Sequence, residues 1–273
     1  MSWDRVWVIV RKEWREVIHN RTIVFTFIGL SAMFTIMPLL LAFGMPKISP
    51  ELLGVEDETV EMSDLPPGLA DALPGYATLE PLEQFQVFML RQFLVFFLVL
   101  PVMGAISIAT YSIIGEKTSR SLEALLATPI RTDELLVGKT LASSVPAVLA
   151  TWVAFGCYAV MVVVLGGASV AHTTLDVAAL ALITLMVPLV ALLGLGLGVV
   201  VSSRSTDARS AQQIAGIVVI PLVVVVIGQS AGVIMLGVEM VVAAALVLLV
   251  VDALVLALGV RVFDREAILT RWK

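Results

Sequence analysis

The chain has little of what most active sites are made from. Its 273 residues include one cysteine, Cys157, and two histidines, His19 and His172. A single cysteine excludes an intrachain disulfide and any cysteine-cluster metal site. Charge is also scarce, at 14% of residues, whereas soluble domains carry about 25%. Apolar residues make up 59%, too many for one soluble core, so the composition implies a polytopic membrane protein. The net charge of −5 says little, because the charges are unevenly placed.

Catalytic signatures are missing as well. There is no G-x-x-x-x-G-K-[ST], hence no phosphate-binding loop, no H-E-x-x-H, and no G-x-S-x-G nucleophile elbow. The pattern implies no enzyme, no metal site, no cofactor of the chain's own and no nucleic-acid partner. Gly194, Gly196 and Gly198 alternate inside an apolar run, which suits close helix approach better than nucleotide binding.

What is present is a series of long apolar runs. Thr22–Phe43 holds 22 residues without a charge. That is about 33 Å of helix, enough to cross a hydrocarbon core of about 30 Å. Further spans are expected at 90–114, 141–165, 177–201, 214–236 and 241–260. Pro38, Pro146 and Pro221 fall inside spans, where a missing N–H favours kinks or breaks. Arg91 stands near the end of the second span and can snorkel toward an interface. Cys157 reads as a small buried apolar residue. The fold class is all-α: one transmembrane domain over 1–273 with six transmembrane helices.

Ahead of the first span, Trp3–Asn20 has helical periodicity. Trp3, Val6, Trp7, Val10, Trp14, Val17 and Ile18 make an apolar side. Asp4, Arg5, Arg11, Lys12, Arg15 and Glu16 make a charged one. This predicts an amphipathic helix lying in the membrane interface, with tryptophans at headgroup depth and basic groups toward anionic lipid. The same stretch is too charged to read as a cleaved signal peptide.

Charge placement sets an orientation. Fifteen of the 17 Lys and Arg lie in four segments: 1–21, 115–139, 202–213 and the stretch from Arg261 onward. Segment 44–84 has Lys47 against nine carboxylates, and its six prolines forbid one long helix. Basic segments favour the cytoplasmic side. Both termini and segment 115–139 are therefore expected inside a cell membrane, and 44–84 outside. Asp252 is the one acid well inside a span, and either packs there or lines a transport path.

Gly115–Lys139 is the densest polar island. Glu116 precedes Arg120 by four residues, and Glu123 follows Arg120 by three, both helical ion-pair spacings. Leu122, Leu125 and Leu126 form an apolar edge, Pro129 interrupts, and Thr132 with Asp133 and Glu134 can open a new helix. The island predicts a helix–break–helix unit joined directly to two spans.

These residues resemble the permeases of the ABC type-2 transporter family. The resemblance rests on Glu116-Lys117, then Arg120-Ser121-Leu122-Glu123, Leu125-Leu126-Ala127-Thr128-Pro129 and Glu134-Leu135-Leu136-Val137-Gly138-Lys139, with Ser121 in place of the usual threonine. It implies a subunit of an ATP-driven exporter working as a dimer with a second copy or paralogue. ATP and Mg²⁺ would be bound by a separate ATPase. It also implies a cytoplasmic coupling helix at Glu116–Thr128, between spans 2 and 3. Glu116, Lys117, Arg120, Glu123, Leu125, Leu126, Thr128 and Pro129 would meet the ATPase, with the N-terminal helix (Trp3, Trp7, Arg11, Lys12, Trp14) supporting that interface. An ion- or proton-coupled secondary transporter, motivated by Asp252, is the alternative.

Overall fold

A computed structural model describes residues 2–45, 73, 75–118, 132–205, 207–234 and 236–262. At 116–118, 132, 133, 135, 136, 203, 204, 208 and 260–262 it describes the backbone alone. Among the described residues every regular element is helical. In chain order these are α1 (Trp3–His19), α2 (Arg21–Leu39), α3 (Pro81–Leu94), α4 (Val99–Thr118), α5 (Thr132–Thr174), α6 (Val177–Ala181), α7 (Val187–Arg204), α8 (Ala208–Ala215), α9 (Val219–Ser230) and α10 (Val238–Val262).

Six stretches are long and apolar enough to cross a membrane: Arg21–Gly44, Pro81–Gly115, Val137–Thr174, Val177–Ser202, Arg209–Ser230 and Val238–Gly259. They are referred to as spans 1 to 6. Between apolar helices in lipid there is little hydrophobic force, so close packing has to hold them together. Span 2 is the centre of that packing: 83% of its most apolar window is buried, against 11% for span 5. Span 4 packs on it through glycines. A Cβ on Gly194 would sit 2.7 Å from the Val102 carbonyl oxygen, and one on Gly198 would sit 3.1 Å from the Ala109 Cβ. Gly196 turns the other way, toward Val255 of span 6. The alternate glycines thus bring three spans together, with α7 in the middle. Phe97, Phe155 and Tyr158 fill the core between spans 2 and 3, with ring centres 5.3–6.1 Å apart.

Several spans change helix type partway. A π-helical turn, Leu40–Gly44, follows Pro38 in span 1. Span 2 contains a 3-10 segment, Val95–Leu98, between α3 and α4. Span 4 contains a π segment, Leu182–Met186, between α6 and α7. In span 5 a 3-10 turn, Gly216–Val218, separates α8 from α9, just ahead of Pro221. The helix of span 3 runs on to Thr174, past the end expected from hydropathy. Gly167 breaks it with φ 71° and ψ −171°, a conformation open to glycine and strained for residues with a Cβ. Cys157 is exposed on the outward face of α5, because its neighbours Ala154, Phe155 and Tyr158 take the inward face.

Candidate coupling interface

Helix α1 has one residue, Asn20, between it and span 1. The Asn20 side chain accepts hydrogen bonds from the Thr22 and Ile23 amides at 3.1 and 3.3 Å, capping α2 while its own backbone is extended. The buried face of α1 is Val6, Ile9, Val10 and Glu13, and it lies on the first turns of α5. Val6 and Val10 pack with Ala142, with Trp14, Val137 and Leu141 around them. Gly138 is required there, because a Cβ would come within 2.9 Å of the Ile9 side chain.

Two buried carboxylates organise the contact. Glu13 lies 3.2 Å from the Lys139 ammonium, and both side chains are almost fully buried. Lys139 also donates to the Ser112 hydroxyl on α4. Lys12 approaches the same Glu13 at 3.8 Å and Glu16 at 3.6 Å. Glu134, 2% exposed, accepts a hydrogen bond from the Ser2 amide at 2.7 Å and lies 3.6 Å from the Arg5 guanidinium. Isolated charges here would be expensive, and the pairing offsets that cost only while both partners remain. Lys139 therefore joins three elements: α1 through Glu13, α4 through Ser112, and α5, its own helix.

The sites expected from sequence are distributed as follows. Trp3 and Trp7 are exposed, at 66% and 49%, and Trp7 meets the half-buried Trp14 edge to face at 5.9 Å. Arg11 and Lys12 are exposed. The buried face of α1 is thus displaced from Trp3 and Trp7, while Trp14 packs at its edge. Glu116 and Lys117 end α4 as backbone only, while Arg120, Glu123, Leu125, Leu126, Thr128 and Pro129 lie outside the described residues. The residues that follow them in the motif are in place: Glu134, Gly138 and Lys139 all touch α1 or its partners. Among the described residues no cluster of His, Cys, Asp or Glu could hold a metal ion.

Asp252 is 3% exposed on α10, and among the described residues neither of its oxygens has a hydrogen-bond partner. Span 4, against which α10 packs, has no ionisable residue from Val187 to Val201. At the start of α8, Asp207 accepts from the Ser210 amide and hydroxyl, both at 3.0 Å. Those two bonds hold its carboxyl below the usual carboxylate range. Tyr76, ahead of span 2, donates to the Gln84 carbonyl at 3.0 Å, and burial pushes its hydroxyl up to about 12.

Six apolar helices of spanning length, packed around a buried second span, define a multi-pass helical membrane protein. A family model described as ABC-2 family transporter protein matches residues 7–244, and the chain belongs to that family. The matched region takes in α1 from Trp7 onward, the polar island and the Glu13–Lys139 pair. The chain matches none of the curated proteins.

Proposed function

We propose that this chain is the permease subunit of an ATP-driven exporter, energised by a separate ATPase that contacts the Gly115–Lys139 island. The observation that carries the reading is the three-way junction at Lys139. Ser112 lies before the island and Lys139 at its end, so their hydrogen bond closes the island at its base. A displacement of the island therefore reaches spans 2 and 3 together. Glu13 adds α1, and through Asn20 span 1, to the same junction.

In this scheme ATP and Mg²⁺ belong to the partner ATPase, whose closure pushes Glu116–Thr128 as a coupling helix. Glu116, Lys117, Arg120, Glu123, Leu125, Leu126, Thr128 and Pro129 form the contact. Helix α1 lies in the membrane interface with Trp3, Trp7 and Trp14 at headgroup depth and Arg11 and Lys12 toward anionic lipid. Two permease copies, or this chain and a paralogue, enclose the path in a cell membrane with both termini cytoplasmic.

Purification in mild detergent tests the pairing: an ATPase is expected to copurify and to leave when Leu125–Pro129 is deleted. Glu123→Arg is expected to uncouple ATP hydrolysis from transport while membrane insertion stays normal. Transport that continues without the ATPase and collapses with the proton gradient would overturn the reading in favour of secondary transport, where Asp252 is the candidate relay.

A further inference from the structure

Arg91 does not snorkel. It is 8% exposed, at the end of span 2 remote from α1, and it binds three separate segments. Its guanidinium donates to the Thr173 carbonyl at 2.9 Å and to the Leu236 carbonyl at 3.4 Å, and meets the Asp176 carboxylate at 3.0 Å. Thr173 lies in the last turn of span 3, Asp176 caps α6 at the start of span 4, and Leu236 lies in the turn between spans 5 and 6. Next to it, Gln92 donates to the Val226 carbonyl at 2.7 Å and to Ser230, tying span 2 to span 5. One end of the bundle is thus fastened by polar contacts fanning out from two adjacent residues.

Each principal segment that Arg91 holds is jointed just below it. Its own helix α3 passes into the 3-10 segment Val95–Leu98. Helix α6, which Asp176 caps, passes into the π segment Leu182–Met186. The last turns of α5, which carry Thr173, are set off by the non-helical Gly167. The 3-10 and π segments touch each other, so the two joints lie at one level. Helix-type changes of this kind within a span often mark functional hinges. Adjacent in sequence to Thr173 and Ser230, the Thr174 hydroxyl and the Gln229 side-chain carbonyl are buried without a partner among the described residues.

We propose that Arg91 is the positioning residue that holds the bundle shut at this end. The segments above the 95–98 and 182–186 joints move as a cap when the Arg91–Asp176 pair parts. The proposal rests on the export reading only in taking this cap for the exit gate.

The test uses the full chain in membrane vesicles, with Cys157→Ser removing the native thiol. Thr174→Cys reports on the cap and Ser144→Cys on the opposite half of span 3. A membrane-impermeant maleimide is admitted to both faces, and the labelling rates are compared. Asp176→Asn removes the charge of the pair while its side-chain oxygen can still cap α6, where Asp176 now accepts from the Ala179 amide at 2.8 Å. Arg91→Lys keeps the charge and loses the forked donor. Each is expected to raise labelling at position 174 about tenfold and leave position 144 unchanged, as local rather than global opening does. An unchanged rate at 174 in either variant overturns the latch, and so does an equal rise at both positions. Adding ATP with the partner ATPase separates the two readings. Labelling that answers to the substitutions and not to ATP keeps the latch and removes its role in export. Labelling that answers to ATP and not to the substitutions removes the latch alone.

Discussion

Glu13 and Lys139, 126 residues apart in sequence, meet at 3.2 Å in a site that hides both side chains. An ion pair this buried is weak evidence of stabilisation by itself, but breaking one side of it strands a charge. Lys139→Met is therefore expected to destabilise the folded chain by about 3–5 kcal/mol. Adding Glu13→Gln should recover part of that loss, because the stranded carboxylate is gone. Melting of the detergent-solubilised single and double variants forms a thermodynamic cycle. Strictly additive losses would mean that the two groups do not depend on each other.

Gly194 faces backbone that cannot move aside. Gly194→Ala places a methyl group 2.7 Å from the Val102 carbonyl oxygen, so spans 2 and 4 must separate. The expected cost is about 1–3 kcal/mol, the range for overpacking. Gly29, whose Cβ would meet nothing within 4 Å, is the control. Gly29→Ala is expected to be neutral, or to stabilise by up to about 1 kcal/mol through helix propensity. Equal melting of the two variants would refute the close approach.

Asp252 lies in an apolar seam with no described cation beside it. Asp252→Asn keeps the volume and removes the ionisable carboxyl, and is expected to leave transport running with stability undiminished. Loss of transport at unchanged or higher stability would instead put the carboxylate on the transport path.

Asp207 gives a pH signature local to α8. Its carboxyl is held below the ordinary carboxylate range, so its contribution to the folded state is complete above that range. The contribution fades as pH falls through the lowered folded value. Exchange of the Ser210 amide, followed on acidification, should lose protection there. Asp207→Asn should abolish the acid response; the same response in the variant would exclude the cap as its source.

Most of the scaffold is legible in the sequence because lipid demands it. Uninterrupted apolar runs of spanning length leave few alternatives to helices, and Gly194–Gly198 declares a close contact by lacking side chains. The junctions are harder to read. Helical periodicity sets tryptophans and aliphatics against charges, and nothing in it singles out Glu13, whose partner lies far along the chain. Glu134 looks like a first-turn acid of a new helix, yet it serves the Ser2 amide and Arg5. Arg91 looks like a snorkelling cation because its acceptors, two of them backbone carbonyls, leave no trace in composition. The proposed Glu116–Pro129 contact residues, by contrast, rest only on the motif and its family resemblance.

The single-residue joint at Asn20 has a mechanical consequence. Two stiff helices meet there with no spare chain, and the capping side chain fixes the corner. Such a corner behaves like a bell crank. Any sliding of α1 along its own axis cannot be absorbed by slack and must become a tilt of span 1. Inserting a few glycines after Asn20 would remove the cap on Thr22 and Ile23, give the joint slack and disconnect the crank.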